Sequence, residues 1–600
     1  MRMGEAQVTV EKLPDFTSEN VKELNDRQIA RYRHKENVCP MLWQGFLEME
    51  IKVGDISRTA KVYVPEDNPQ GTSFIIMNVP EGKNAIDFMI DSGWKEIADK
   101  VKMPLFVMEP VGGTKWGTPE EEWNYVLACF DAQKNGVWLN PGFCRYVVGY
   151  GKAGMNLHKY VMENPLNIGS GAFVDASDLP IEYVRQLEDT CVDTPIWKYG
   201  FTLKEVPTPV ILLNRKENEN TKNVLQYWQQ AAEDKNAVNR YSEAGPELMK
   251  ELVETRTGDF ISDNPATTEL IWNHIGKYYR YGMGFLSNHI YHRVNYEELG
   301  VEFRSFTDSL GIDRNFLVYV PKKYRGTSEK LPVVISFHGW SNTMRQQFEN
   351  TLWYELADKE GFIVVCPETL LFCNPQDVQI GALTLIPQAA NPKWAYMMEG
   401  NIAHYDIIYF RELLKLLLEE YPIDPGRIYG NGQSMGCGQT LFLCQTEVGD
   451  NFAAVASCSG LALLQPYEPS DGYADSYHTH VPTFVMMGEY DLWDHLIDPE
   501  EDNILTEAAD LVLKRLGLAN DENVKDVRLH QVSDTYVDGR FHNYIWKNHQ
   551  GIPMFRYAWI EKQCHAITPM ESRVAWYEWM SQFRLDTETG KRYYRGVEIV

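Results

Sequence analysis

Several features that would assign the chain to a membrane, nucleic-acid-binding or disulfide-bonded class are missing from its 600 residues. No run of eighteen apolar residues occurs, and Met1–Val10 lacks the apolar segment of a secretory signal. A net charge of −27, with no basic tail, opposes binding to nucleic acid or to an anionic membrane. The ten cysteines are scattered without a C-x-x-C pair, which is typical of reduced thiols. We therefore expect a cytoplasmic protein with neither nucleic acid nor a membrane as partner, and without a metal or other cofactor.

The composition is that of a globular protein, with 44% hydrophobic and 24% charged residues. Six hundred residues exceed the usual length of one domain, so two domains of about 250–300 residues are expected. No low-complexity segment interrupts the chain, and residues 1–42 have the mixed, polar character of an N-terminal arm.

The strongest motif is G-x-S-x-G, at Gly432-Gln-Ser-Met-Gly436. In a nucleophile elbow a serine occupies a tight turn between a strand and a helix, and the flanking glycines leave room for the crowded backbone. The pattern is short enough to arise by chance, so its surroundings decide its meaning. A helical pattern and a short strand precede it, and a helix and a buried strand follow: Tyr405–Tyr421, Arg427–Tyr429, Gln439–Cys444 and Phe452–Ser457. Ser434 is therefore the candidate nucleophile.

A serine hydroxyl needs a base within hydrogen-bond reach and a group that orients the base. After an elbow of this kind the partners follow in the order acid, then histidine. Asp491 is the best-placed acid, because it lies in the loop after the predicted strand Thr483–Gly488, and Asp494 in the same loop is the alternative. His565 is the predicted base, because it follows the strand Met554–Ile560 and precedes a predicted helix.

The oxyanion of such a reaction is stabilised by backbone N–H groups. One predicted donor is Met435, directly after the nucleophile, and the second is expected after the strand Leu331–Phe337. Gly339 permits a sharp turn there, so the N–H of Trp340 is the predicted donor, with Gly339 as the alternative. We interpret His338 as a residue that braces this loop. The predicted substrate pocket comprises His338, Gly339, Gln433, Tyr490 and Trp493.

The two halves of the chain share landmarks in the same order, which indicates an internal duplication, although two doubly wound sheets can also share generic strand patterns. The paired segments are Val62–Pro65 with Val318–Pro321, Trp94–Lys100 with Trp353–Lys359, Val206–Leu213 with Val481–Gly488, and Trp272–Arg280 with Trp576–Arg584. In this alignment the three triad positions are occupied by Ala153, Lys216 and Ile261. We predict a non-catalytic first domain at 43–285, an ordered connection at 286–300 and a catalytic domain at 301–600.

The second copy resembles the α/β-hydrolase superfamily, and within it the polyhydroxybutyrate depolymerase, feruloyl esterase and acetyl xylan esterase group. The residues that carry the resemblance are Val318–Pro321, His338-Gly339, Asp406, Asp424–Tyr429, Gly432–Gly436 and Cys564-His565. It covers residues 300–585, and residues 43–285 more weakly as a degenerate copy. The resemblance implies a central, mostly parallel sheet, a Ser-Asp-His triad and hydrolysis of carboxylic esters through an acyl-enzyme without a metal. The tandem domain and the long segment between acid and base depart from the group.

We therefore expect two tandem α/β-hydrolase-like domains, of which the second is a serine esterase for a small-molecule or oligomeric ester. The first domain is expected to act as a scaffold, to wall the pocket or to mediate homo-oligomerisation. One alternative is a serine peptidase of the prolyl oligopeptidase type, although no β-propeller repeat precedes the domain. Another is a non-catalytic binding or scaffold protein, against which the intact order of the predicted triad argues.

Overall fold

The protein is described from a computed structural model. The structure describes residues 45–600 except for 67, 69–72, 114, 135–143, 194–197, 234–249, 282–288, 341, 374–389, 395, 397–402, 465–479, 492–503 and 519–531. The chain divides into two compact units, whose described residues run from 45 to 293 and from 294 to 600. The division falls within the segment 286–300 that the sequence predicts as an ordered connection.

The first unit is an α/β structure. Its strands are β1 (Gly45–Val53), β2 (Ile56–Val64), β3 (Phe74–Asn78), β4 (Leu105–Met108), β5 (Arg145–Tyr150), β6 (Ser170–Val174), β7 (Cys191–Asp193), β8 (Lys198–Thr202), β9 (Val210–Asn214), β10 (Val253–Thr257), β11 (Tyr278–Tyr281) and β12 (His289–His292). Its helices are α1 (Ala85–Asp91), α2 (Trp94–Val101), α3 (Pro119–Lys134), α4 (Gly151–Glu163), α5 (Ile181–Glu188), α6 (Glu219–Glu233) and α7 (Pro265–Ile275). Among these described elements one eight-stranded sheet has the order β1-β2-β4-β3-β5-β6-β9-β10.

The second unit has the same character. Its strands are β13 (Glu302–Thr307), β14 (Asp313–Tyr319), β15 (Leu331–Phe337), β16 (Ile363–Pro367), β17 (Leu370–Cys373), β18 (Ala390–Lys393), β19 (Ile423–Gly432), β20 (Ala454–Cys458), β21 (Thr483–Tyr490), β22 (Asp534–Asp538), β23 (Phe541–Lys547), β24 (Pro553–Cys564), β25 (Phe583–Leu585), β26 (Arg592–Tyr594) and β27 (Val597–Glu598). Its helices are α8 (Tyr296–Leu299), α9 (Met344–Thr351), α10 (Trp353–Glu360), α11 (His404–Glu420), α12 (Met435–Leu443), α13 (Ile504–Arg515) and α14 (Pro569–Glu578). Its main sheet has the order β13-β14-β16-β15-β19-β20-β21-β24-β23-β22.

Strands β16, β15, β19, β20, β21 and β24 pair in parallel, and antiparallel strands extend the sheet at both edges. The strand β15 is buried along its whole length, as expected for a parallel strand that is covered on both faces. Successive side chains of β15 pack on opposite faces of the sheet. Val334 packs on one face, against α9, α10 and α14. Val333 and Ile335 pack on the other face, against α11 and α12. The predicted α/β fold class, with mostly parallel sheets flanked by helices, is confirmed.

The order β1-β2-β4-β3-β5-β6-β9-β10 in the first unit corresponds strand for strand to β13-β14-β16-β15-β19-β20-β21-β24 in the second. A side-chain contact is repeated as well, because the hydroxyl of Tyr63 donates to Asp99 and that of Tyr319 to Asp358, each at 2.6 Å. These correspondences support the duplication hypothesis, which stays a prediction. No helix among the described residues is long and apolar enough to cross a membrane.

Candidate active site

Ser434 lies at the N-terminal end of α12, two residues after the end of the central strand β19. Its backbone has φ = 55° and ψ = −123°, a conformation that residues other than glycine rarely adopt. The serine is half-buried, whereas the residues on either side of it are buried. This is the backbone geometry of a nucleophile elbow, in which the turn presents one hydroxyl at the carboxyl edge of the sheet.

The two glycines of the motif are required by close backbone contacts. A Cβ at Gly432 would collide with the carbonyl oxygen of Gly436, and a Cβ at Gly436 would collide with the carbonyl oxygen of Phe337 on β15. Each glycine therefore allows the start of α12 to approach the ends of two central strands. The sequence pattern G-x-S-x-G follows from this crowding.

His565 and Asp491 are brought together although 74 residues separate them in the chain. The Nδ1 atom of His565 lies 2.6 Å from Oδ1 of Asp491, and both residues are buried. The neighbouring strands β21 and β24 end at this edge of the sheet, and each residue directly follows one of them. When Nδ1 donates to the carboxylate, Nε2 of the imidazole is left as a proton acceptor, which is the arrangement a general base requires.

A short loop after β20 links the elbow to the histidine loop. The N–H of Ser434 donates to the carbonyl oxygen of Cys458 at 2.9 Å, and the hydroxyl of Ser459 donates to the carbonyl oxygen of Ala566 at 3.2 Å. Ser459 itself has φ = 57°. These contacts place the predicted nucleophile and the predicted base at one edge of the same sheet.

The predicted oxyanion loop lies against the elbow. A Cβ at Gly339 would come within 2.6 Å of Oε1 of Gln433 and 3.1 Å of Cβ of Ser434, so the loop passes directly beside the nucleophile. The side chain of Trp340 is 36% exposed, whereas Met435 is buried at the start of α12. The structure thus places both predicted N–H donors in segments that adjoin Ser434.

His338 is buried and braces this loop, as its position after β15 suggests. Its Nδ1 lies 2.8 Å from the carbonyl oxygen of Gly339, and its Nε2 lies 2.7 Å from Oε1 of Glu368. The indole N–H of Trp394 donates to the carbonyl oxygen of His338 at 2.8 Å. Both ring nitrogens of His338 are therefore engaged in contacts that hold the loop.

Three residues beside the site were not predicted from the sequence. Glu368 contacts His338, Trp394 bonds to the same residue's backbone, and the hydroxyl of Tyr396 donates to the carbonyl oxygen of Met435 at 3.3 Å. Glu368 has a readable signal, since it directly follows the buried strand β16 at the carboxyl edge of a parallel sheet. Trp394 and Tyr396 lie in a segment, 373–402, that carries no motif.

Some predicted positions lie outside the described residues. Asp494, the alternative acid, and Trp493, a predicted pocket residue, both fall in the range 492–503. Tyr490 is the last residue of β21, and only its backbone is described. Gln433 is buried beside the elbow.

The thiols beside the elbow are not activated. Burial raises the pKa of the Cys437 thiol on α12 and that of the Cys458 thiol on β20. A raised pKa keeps both groups protonated at neutral pH, so Ser434 is the candidate nucleophile of this edge. Within the described part of the chain, no group of three or more His, Cys, Asp or Glu side chains could hold a metal ion.

In the first unit, the residue at the position of Ser434 is not Ala153, which the sequence alignment predicts. Tyr150 pairs with Val174, the last residue of β6, and Gln433 forms a bridge with Cys458, the last residue of β20. The next residues, Gly151 and Ser434, have φ = 60° and 55°. Gly151, and not Ala153, therefore occupies the elbow position. The sequence alignment is shifted by two residues, because it pairs Gly149-Tyr-Gly151 with Gly430-Asn-Gly432.

The acid and the base are also replaced in the first unit. Leu213 and Met486 occupy equivalent register positions, and the residue five positions further along is Asn218 in the first unit and Asp491 in the second. This corrects the alignment, which placed Lys216 there. Counting three residues back from the helix caps Asn264 and Thr568 places Ile261 at His565, as the alignment did. The first unit thus lacks a hydroxyl, a carboxylate and an imidazole at the three positions.

Comparison with known proteins shows what the second unit is similar to. Residues 307–586 match the family model described as "Putative esterase". A curated relative, the bifunctional acetylxylan esterase/xylanase XynS20E of Neocallimastix patriciarum, is 29% identical over 150 residues, which are 25% of this chain. The match spans 18% of that relative's length.

Two solved structures are similar over about half of the chain. The acetyl xylan esterase from Aspergillus awamori is 12% identical, with a TM-score of 0.31 over 47% of this chain and 99% of that protein. An S-formylglutathione hydrolase from Agrobacterium tumefaciens is 15% identical, with a TM-score of 0.31 over 47% of this chain and 94% of that protein. The family match covers a little under half of the chain, and together with the α/β fold of the second unit it supports an esterase of the α/β-hydrolase group at residues 307–586.

Proposed function

We propose that the second unit hydrolyses carboxylic esters with Ser434 as nucleophile, His565 as general base and Asp491 as the orienting acid. The observation that carries this proposal is the buried hydrogen bond of 2.6 Å between His565 and Asp491, at the sheet edge where Ser434 occupies an elbow with φ = 55°. A histidine without a carboxylate partner, or an elbow serine without a histidine at the same sheet edge, would not support this proposal.

In the proposed reaction, His565 takes the proton of the Ser434 hydroxyl as its oxygen attacks the ester carbonyl carbon. The N–H groups of Met435 and Trp340 stabilise the negative charge that develops on the carbonyl oxygen. His565 then gives its proton to the leaving alcohol, which leaves an acyl group on Ser434. Water, activated by the same imidazole, attacks the acyl carbon and releases the acid, while Asp491 stabilises the charged imidazole in both steps.

The proposed substrates are short or aromatic acyl esters of small or oligomeric alcohols. This proposal is supported by the family match and by the relative whose name includes acetylxylan esterase activity. Two aromatic residues are the ones that we expect an acyl group to contact: Tyr396, whose hydroxyl donates to the carbonyl oxygen of Met435, and the exposed Trp340, which follows Gly339 in the loop beside Ser434.

The proposal is tested by labelling with a fluorophosphonate, which phosphonylates an activated serine. We expect modification at Ser434, with none in Ser434→Ala and little in His565→Ala. His542→Ala is a matched control, because His542 also contacts a carboxylate, with Nε2 2.7 Å from Oε1 of Glu561, but it lies within β23. This control should label at the wild-type rate.

Hydrolysis of 4-nitrophenyl acetate, methyl ferulate and a chromogenic prolyl peptide then separates the reaction classes. Release of acid from the esters but not from the peptide supports the proposal. Cleavage of the peptide alone would identify a peptidase, and absence of both labelling and turnover in a folded sample would identify a non-catalytic protein.

A further inference from the structure

The first unit contains a cleft of about 660 Å³ at the carboxyl edge of its parallel strands. Gly151, Lys152 and Ala153 line it, so it lies where the second unit has its nucleophile elbow. A volume of this size is within the range of sites that bind small molecules. The positions equivalent to Ser434, Asp491 and His565 hold Gly151, Asn218 and Ile261 in this unit. The cleft therefore lies where the second unit has its candidate active site, but it lacks the three predicted catalytic side chains.

The floor of the cleft has room for a ligand where a serine side chain would stand. A Cβ built at Gly151 would meet no atom within 4 Å. The helix α4 begins here, and no side chain caps its first N–H groups.

A buried polar atom at the cleft also lacks a partner within the described chain. Asn156, on the first turns of α4, lines the cleft and is 1% exposed. Its Nδ2 donates to the carbonyl oxygen of Pro119 at 2.7 Å, while its Oδ1 is buried without a hydrogen-bond partner. A buried acceptor of this kind costs free energy unless a ligand or a water supplies a donor.

The lining of the cleft combines aromatic side chains with charged side chains of both signs. Trp116 and Phe260 are half-buried and present aromatic surface. Three basic side chains and four acidic ones line the same cleft: Lys115, Lys152, Arg215, Glu81, Glu121, Glu122 and Asp175. Glu122 is paired with Arg58 at 2.6 Å, and Asp175 with Arg215 at 3.1 Å, so the charges largely compensate each other.

We propose that this cleft is a non-catalytic binding site for a neutral oligosaccharide. A sugar ring offers an apolar C–H face for Trp116 and hydroxyl groups that both donate and accept hydrogen bonds, which suits Asn156, Lys152 and the carboxylates. Because the lining carries charges of both signs, it offers neither an anion nor a cation a surface of the single opposite sign. The proposal does not depend on ester hydrolysis by the second unit.

The experiment is isothermal titration calorimetry of xylotetraose, cellotetraose and mannotetraose into the full chain carrying Ser434→Ala. We expect at least one of them to bind, and we expect Trp116→Ala to raise its Kd at least about tenfold, because an aromatic contact surface is lost. Trp123→Ala is the matched control, since Trp123 packs against the same core of this unit without lining the cleft. It should leave the Kd unchanged.

A second pair of variants, at exposed lysines, tests the polar contacts of the cleft and leaves the hydrophobic core of the unit unchanged. Lys152→Ala should raise the Kd about threefold or more, whereas the substitution of another exposed lysine, Lys222→Ala on α6, should not change it. Absence of binding by all three tetrasaccharides overturns the proposal. So does tighter binding of a uronate oligosaccharide, or binding that Trp116→Ala and Lys152→Ala leave at the wild-type Kd.

Discussion

The backbone of Ser434 is held at φ = 55°, and such a conformation costs of the order of 1–3 kcal/mol for a residue with a Cβ. It persists because the backbone around it is tightly packed: Gly432 contacts Gly436, and Gly460 contacts the carbonyl of Ser434. Ser434 is left half-buried, whereas its two neighbours in the chain are buried. The strain at one residue is therefore the physical basis for an accessible hydroxyl at this edge.

The proposed role of Asp491 leads to a prediction at the residue scale. Asp491→Asn keeps the size of the side chain but removes the negative charge that holds the proton on Nδ1 of His565. We expect kcat for ester hydrolysis to fall by roughly 10³–10⁴-fold, with little change in KM, because the imidazole then adopts the wrong tautomer. Steady-state kinetics with 4-nitrophenyl acetate measures both constants.

The control for this substitution is Asp538→Asn, at an exposed position of the edge strand β22. It should keep the wild-type kcat. A loss of less than tenfold in Asp491→Asn, combined with a large loss in Asp494→Asn, would instead identify Asp494 as the acid.

At the scale of elements, α4 is fixed to its neighbours through a buried histidine. His158 lies between β6 and α6: its Nδ1 donates to the carbonyl oxygen of Ala176 at 3.0 Å, and Trp228 donates to its Nε2 at 3.0 Å. The ring also stacks on Phe173 with 3.6 Å between centroids. Burial lowers the pKa of His158 to about 3, so the folded state holds the neutral imidazole.

This contact predicts a pH dependence of stability. Between pH 6.5 and about 3 the unfolded chain binds a proton at this histidine and the folded chain does not, so the free energy of unfolding falls as the pH is lowered. The expected loss from His158 is up to about 2 kcal/mol between pH 7 and pH 5. Hydrogen exchange of β5, α4 and β6, measured in increasing urea, reports it for the first unit.

The variant His158→Phe should be less stable at pH 7, because Trp228 loses its acceptor, but its stability should fall less toward pH 5. The exposed His292 provides the matched control, and His292→Phe should keep the wild-type pH dependence. An equal slope in His158→Phe and the wild type would contradict the assignment.

At the scale of the whole molecule, two units share one strand order, but the candidate triad is present in one of them. This asymmetry predicts that Gly151→Ser does not create a second reactive serine. The substitution is sterically allowed, since a Cβ there meets no atom within 4 Å and Ser434 has nearly the same φ. Without a base and an acid, however, a serine hydroxyl remains a weak nucleophile.

Fluorophosphonate labelling of the double variant Ser434→Ala, Gly151→Ser measures this directly. We expect no modification at residue 151 of this variant, whereas we expect the wild-type chain to be labelled at Ser434. Labelling at residue 151 would show that the cleft of the first unit holds an activating base.

The sequence alone was sufficient to predict the fold class. Apolar strands such as Leu331–Phe337, in which Ser336 is the one polar residue, can be read locally, because burial on both faces favours apolar side chains along the strand. The candidate elbow is equally local, since Gly432, Ser434 and Gly436 lie within five residues and their backbone contacts follow from their spacing. The order acid, then histidine, also follows from the chain, because each residue comes directly after a strand.

Tertiary structure decided the rest, because strand register and loop packing join residues that are distant in the chain. It brought His565 to Asp491, it braced the loop of His338 with Glu368 and Trp394, and it placed Gly151, not Ala153, at the elbow position of the first unit. Glycine-rich segments align equally well in two registers, and only the pairing of β5 with β6 distinguishes them. The cleft beside Trp116 and Asn156 arises in the same way, from loops that meet only in the folded unit.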